Sequence, residues 1–142
     1  MNFVLDASVA LLWLIPSTQP AGVPYAQGVL EQLKEGRSVV PSLFFLEVGN
    51  VICELEGKGQ LTEADSQRYL ALLGQLNIVV DSATAKQATG DTLNLARRHR
   101  LSVYDAAYLE LALREGLPLA TLDADLAEAT SKVGISTSIG KG

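Results

Sequence analysis

The amino-acid sequence predicts an α/β fold with a central parallel sheet and helices on both faces, on three observations. Four short apolar runs, at residues 4–5, 38–40, 78–80 and 119–120, are each separated from the next by helical patterns, which is the alternation a parallel sheet with crossover helices produces. Asp6 follows the first run directly and Asp123 follows the last through Thr121 and Leu122, so both fall at the carboxyl edge of such a sheet. The third observation is composition. A chain of 142 residues, 48% apolar and 19% charged, suffices for one substantial core, so residues 1–142 are expected to form a single domain.

Taken in order, Val4 and Leu5 make the first strand, and helices are predicted over about 7–15 and 22–36 before the strand Ser38-Val39-Val40. Two further helices, about 43–56 and 62–74, precede Ile78-Val79-Val80. Gly57-Lys58-Gly59 breaks this stretch into a helical hairpin. Thr62-Glu63-Ala64-Asp65 opens its second arm with a capping hydroxyl and early acids. Helices over about 84–98 and 104–115 follow, the latter closed by Gly116 and Pro118 before Leu119 and Ala120. A last helix over about 123–130 leads to a weak fifth strand, Gly134-Ile135-Ser136, and a loose tail at 137–142.

No apolar run approaches the roughly 20 residues needed to cross a bilayer. The N-terminus lacks a basic region and places Asp6 where a signal peptide needs unbroken apolar sequence. A soluble, cytoplasmic protein is the expectation. The one cysteine, Cys53, has no internal disulfide partner, and its apolar helical setting points to a buried thiol. The formal net charge of -5 argues against simple basic-patch binding of nucleic acid. Divalent cations held by some of the acids would bring the balance, and the local field, close to neutral.

Two readings stand for most of the acids. Asp6 and Asp123 suit a site at the sheet edge, and equally suit helix N-caps that satisfy free amide hydrogens. Glu47 lies on an apolar helix side among Leu43, Phe44 and Val51. A carboxylate there requires a cation or a paired arginine. Asp105 opens a strongly helical stretch, as a site residue or as a complement to the helix dipole. Four carboxylates converging on one edge would repel one another unless a cation joined them, and all-oxygen ligation selects a hard divalent ion.

Four stretches in order then resemble the PIN-domain family, and most closely the VapC ribonucleases of toxin-antitoxin pairs. They are Val4-Leu5-Asp6-Ala7-Ser8; Pro41-Ser42-Leu43-Phe44-Phe45-Leu46-Glu47-Val48-Gly49-Asn50; Leu101-Ser102-Val103-Tyr104-Asp105-Ala106-Ala107-Tyr108-Leu109-Glu110-Leu111-Ala112; and Leu119-Ala120-Thr121-Leu122-Asp123. The resemblance spans nearly the whole chain. It implies a three-layer α/β/α fold, cleavage of single-stranded RNA, one or two Mg2+ or Mn2+ ions, a homodimer, and an antitoxin that blocks the site. Asp6, Glu47, Asp105 and Asp123 fall on the family's acidic positions, as metal ligands and catalytic residues, while Ser8 and Thr121 fall where it often carries hydroxyls. Asp125 is either a further ligand or a solvated first-turn acid. Ser8 and Thr121 either orient an aspartate or cap strand ends, and Asn50 is either a supporting amide one turn after Glu47 or a packing residue.

A bound metal lowers the pKa of water and stabilises charge on phosphoryl oxygens. The single histidine, His99, lies outside all four motifs, so metal chemistry is favoured over a histidine-based ribonuclease. Arg97, Arg98 and Arg100 form the densest basic cluster, either to hold RNA phosphates or to complement a helix C-terminus. A non-catalytic PIN-like module binding RNA or protein is the alternative function.

Overall fold

The computed structural model describes residues 1–139. Four parallel strands, β1 (Asn2–Leu5), β2 (Arg37–Val40), β3 (Ile78–Val80) and β4 (Leu119–Ala120), form one sheet in the order β3-β2-β1-β4. The inner strands β1 and β2 are buried along most of their length, because helices cover both faces and leave no side for polar residues. The chain winds from β1 outward through β2 to β3, then returns to the other side of β1 to lay down β4. The order therefore reverses between β1 and β4, where open α/β sheets form their crevices.

One helical layer comprises α1 (Ala7–Leu12), α2 (Val23–Glu35), α3 (Phe44–Gly57) and α4 (Glu63–Gly74). Its members are tied together by the Trp13 indole N–H on the Ala26 carbonyl at 2.8 Å and the Tyr69 hydroxyl on the Ala10 carbonyl at 2.6 Å. A short helix, α5 (Thr84–Gln87), leads into the opposite layer of α6 (Asp91–His99), α7 (Val103–Glu115) and α8 (Ala124–Lys132), with α7 packed on both α6 and α8. The result is the expected three-layer α/β/α arrangement around one core that includes Phe3, Val4, Leu5, Phe44, Tyr108 and Leu109. No helix among the described residues is long and apolar enough to cross a membrane.

Local signals act where the sequence placed them. Thr62 caps α4 in a reciprocal box with Asp65. Gly116 ends α7 in the left-handed conformation at φ 65°, which costs glycine nothing. Gly36 joins α2 to β2 where a Cβ would stand 2.1 Å from the Met1 carbonyl oxygen, so only glycine fits.

Five expectations need correction. The predicted helix over 7–15 stops at Leu12, since Pro16 disfavours helical geometry at Ile15. The helix over 84–98 is two helices, parted where Gly90 leaves the helical region at φ -114°, ψ -108°. Residues 134–136 form no strand; Leu119 N–H donates to the Ser136 carbonyl at 2.9 Å, without the repeat of bonds that makes a ladder. Within the expected loose tail, residues 137–139 are held, with the Tyr25 hydroxyl on the Thr137 carbonyl at 2.6 Å and Ile139 against the core. The other tail positions, 140–142, lie outside the described residues. Cys53 is exposed rather than buried. α3 turns Phe44, Val48 and Ile52 inward, and the residue after Ile52 points about 100° away from that stripe.

Candidate metal centre

Asp6 is the residue at which β1 becomes α1, and it is 5% exposed. Its carboxylate makes no cap hydrogen bond to α1. Oδ2 instead accepts from the Ser8 hydroxyl at 2.6 Å and from the Thr121 hydroxyl at 2.8 Å. Each hydroxyl has its own lone pairs engaged, Ser8 Oγ by Leu122 N–H at 3.0 Å and Thr121 Oγ1 by Asp123 N–H at 3.0 Å. With those acceptor sites filled, both protons point at Asp6. Burial pushes the Asp6 carboxyl above its ordinary value, the two hydroxyls oppose that shift, and the charge of Asp123 adds to it.

Asp123 is the N-cap of α8, with Oδ1 accepting from Leu126 N–H at 2.9 Å. One oxygen of this acid thus does the capping that the sequence left open as an alternative. Asp105 lies in the first turn of α7, below the cap in which Ser102 Oγ accepts Asp105 N–H at 3.0 Å. Burial first, and then the charges of Asp123, Asp6 and Asp125, raise the Asp105 carboxyl to about 6.

Glu47, in the first turn of α3, has no ion-pair partner among the described residues. Its Oε1 accepts from the Tyr108 hydroxyl at 2.5 Å. Burial raises its carboxyl to about 7, with Tyr108 opposing and the charges of Asp6 and Asp105 reinforcing. Of the two partners the sequence left open for Glu47, a cation or a paired arginine, no arginine pairs with it among the described residues, and the Tyr108 hydroxyl is its hydrogen-bond partner. Asp6, Glu47, Asp105 and Asp123 are therefore electrostatic neighbours at the carboxyl edge of the sheet, around the switch point between β1 and β4. With the side chains as they stand, no three or more His, Cys, Asp or Glu among the described residues are placed so that they could hold a metal ion. Crowded carboxylates repel, and Asp6 and Glu47 direct oxygens to hydroxyl donors.

The remaining sequence-predicted residues divide. Ser8 and Thr121 reach Asp6, and Asp125 lies close enough to raise the Asp105 carboxyl. Asn50 does not support Glu47: it is exposed and its amide donates to Glu54 at 3.4 Å, because an i, i+4 partner on its own helix face is nearer. The basic cluster points in two directions. Arg98 lines a cavity of about 470 Å3 with Asn94, Glu110 and Arg114, whereas Arg100 borders a smaller one with Asp125 and Lys132. Arg97 is exposed in the last turn of α6 and reaches Asn94 at 3.4 Å. Of these three arginines, Arg100 alone shares a cavity with a sequence-predicted acid, Asp125. Sequence reasoning missed Tyr108 as a member of this group. Its position three residues after Asp105 put both on one helix face, which was the available signal.

Fold and site together define a class: a parallel α/β protein with a carboxylate cluster over the switch point of its sheet. The family model of the PIN domain matches residues 3–132, and the chain belongs to the PIN-domain family. It is 30% identical over 128 residues to Ribonuclease VapC3 of Pyrobaculum aerophilum, covering 90% of this chain and 94% of that one. The solved structure of PAE2754 from Pyrobaculum aerophilum superposes with a TM-score of 0.67 at 22% identity, over 96% of this chain and 84% of that one, a likeness of fold.

Proposed function

We propose that this protein is a metal-dependent endoribonuclease that hydrolyses RNA phosphodiester bonds, and the toxin of a type II toxin-antitoxin pair. The observation that carries the reading is the convergence of Asp6, Glu47, Asp105 and Asp123, with the Glu47 and Asp105 carboxyls raised to about 7 and about 6 by burial and by their acidic neighbours. Such crowding costs stability unless it serves a ligand, and perturbed carboxyls in a crevice mark functional sites. Similarity to a protein named as a ribonuclease supports the same reading.

The donor set fits a hard divalent cation. It is all oxygen, anionic and partly withdrawn from water, which suits Mg2+ or Mn2+. Asp6, Glu47, Asp105 and Asp123 would hold one or two such ions, with Asp125 at the margin. When bound, the metal supplies a water of lowered pKa and neutralises charge on the phosphoryl oxygens. The chain does the rest. Ser8 and Thr121 fix the Asp6 carboxylate in one rotamer, the Ser102 cap fixes the first turn that carries Asp105, and Arg100 offers a cation to RNA phosphate beside Asp125. Arg97 and Arg98 extend the positive surface away from the acids.

The single domain of residues 1–142 would act in the cytoplasm as a homodimer held by its cognate antitoxin. Phe45 and Leu46, 43% and 77% exposed at the start of α3, are apolar surface next to Glu47 that a protein partner would cover. The test is to incubate the protein with unstructured and structured RNA in Mn2+, in EDTA, and with Asp6→Asn. Cleavage that needs Mn2+ and is lost on substitution is expected. Cleavage surviving both treatments would overturn the mechanism, and RNA binding without cleavage would favour a non-catalytic module.

A further inference from the structure

Tyr108 is fully buried, yet its hydroxyl reaches the carboxylate of Glu47. It donates to Glu47 Oε1 at 2.5 Å, reaching from α7 in one helical layer to α3 in the other across the end of the sheet. A phenol has one proton to give, and Tyr108 gives it to Glu47. One side chain therefore joins the α3 turn bearing Glu47 to the α7 turn that follows Asp105.

We propose that Tyr108 is a positioning residue of the metal centre, holding Glu47 in a single orientation and tying α3 to α7. Glu47 lies in an apolar helical turn, and among the described residues no cation stands beside it and no side chain other than Tyr108 hydrogen-bonds it. Ring burial supplies the rigidity. The tyrosine ring is packed in the core with Leu109 and Leu111 as helix neighbours, which leaves the hydroxyl little freedom to wander from Oε1. The inference rests on the metal-dependent reading above and adds a residue to it that is not itself an acid.

The test is a double-mutant cycle on Mn2+ affinity, measured by calorimetric titration of the full-length protein without RNA, for wild type, Tyr108→Phe, Glu47→Ala and the double variant. Phenylalanine keeps the ring, and titrations run well below each variant's unfolding midpoint, so lost stability does not read as lost binding. Tyr108→Phe is expected to weaken Mn2+ binding about ten- to a hundredfold, and to have no further effect in the Glu47→Ala background. Equal affinity in wild type and Tyr108→Phe overturns the positioning role while leaving the metal centre intact. Equal losses in both backgrounds also overturn it, as a packing effect unrelated to Glu47. Wild-type protein that binds no Mn2+ overturns the metal reading itself, and this inference with it.

Discussion

Arg114 grips Asp81 in a two-pronged contact, Nη1 donating to Oδ1 at 3.0 Å and Nη2 to Oδ2 at 2.8 Å. The same guanidinium holds Glu110 one turn earlier, through Nε to Oε2 at 2.8 Å and Nη2 to Oε1 at 3.0 Å. Asp81 directly follows β3, so the pair anchors the C-terminal part of α7 to the edge of the sheet and thereby sets where Tyr108 and Asp105 fall. Arg114→Met should leave two carboxylates without their partner, one of them buried Glu110. A loss of about 2–4 kcal/mol is expected, seen as a drop in Tm of roughly 6–15 °C. An unchanged Tm would show that the clamp contributes only geometry.

Thr121→Val removes a hydroxyl that serves Asp6 and Asp123 N–H at once. The shape is kept, but the part-buried Asp123 N–H and the buried Asp6 carboxylate each lose a partner. Destabilisation of about 1–3 kcal/mol and a ten- to hundredfold loss of Mn2+ affinity, on the order expected for residues supporting a ligand, should appear together. Loss of stability alone would confine Thr121 to a structural role.

Asp6→Asn separates stability from function. The amide oxygen can accept from both Ser8 and Thr121, while the buried charge and its repulsion with Asp123 disappear. Metal-free protein should gain about 1 kcal/mol, and Mn2+-dependent cleavage should fall at least about a hundredfold. A variant that is less stable than wild type in EDTA would contradict the account of crowded carboxylates.

The pH dependence of metal-free stability has a definite sign. Glu47 and Asp105 titrate at about 7 and about 6 when folded, against ordinary values of 4.5 and 3.8. The native state therefore binds more protons than the unfolded chain through that window, and stability falls as pH rises across it. Asp81, lowered first by its hydrogen bond from Arg114, acts in the opposite sense: its contribution is present above 3.8 and is lost as pH falls through its lowered folded value. Chemical unfolding in EDTA should show greatest stability near pH 4 to 5, and added Mn2+ should raise Tm more at pH 7.5 than at pH 5, because metal and protons compete for the same oxygens.

Arg100 closes α6 at φ 55°, a left-handed conformation that costs a side-chain-bearing residue about 1 kcal/mol and glycine little. Arg100→Gly should be neutral to stabilising by Tm, while RNA affinity falls and its salt dependence loses about one counterion in slope. Arg98→Ala, facing the other cavity, should change RNA binding less. Equal effects of the two substitutions would place the RNA path along the whole cluster.

The order of elements was legible along the chain because strand and helix preferences are local: Val4, Val39, Val79 and Leu119 each sit in strands that short apolar runs marked, and Thr62 and Gly116 cap where their chemistry demands. The acids were legible for the same reason, since Asp6 and Asp123 follow strands and Asp105 opens a helix. What those acids touch was not. α3 is apolar around much of its circumference, so only the neighbour it packs on decided that Ile52 turns inward and Cys53 outward. The run of basic residues 97–100 reads as one patch in sequence, yet Arg100, in a left-handed turn, borders Asp125 while Arg98 lines another cavity. Tyr108 meets Glu47 across 61 positions of chain, a pairing that exists because two helical layers converge over the end of the sheet. Local chemistry determined which residues could serve; the packing of layers decided which of them meet.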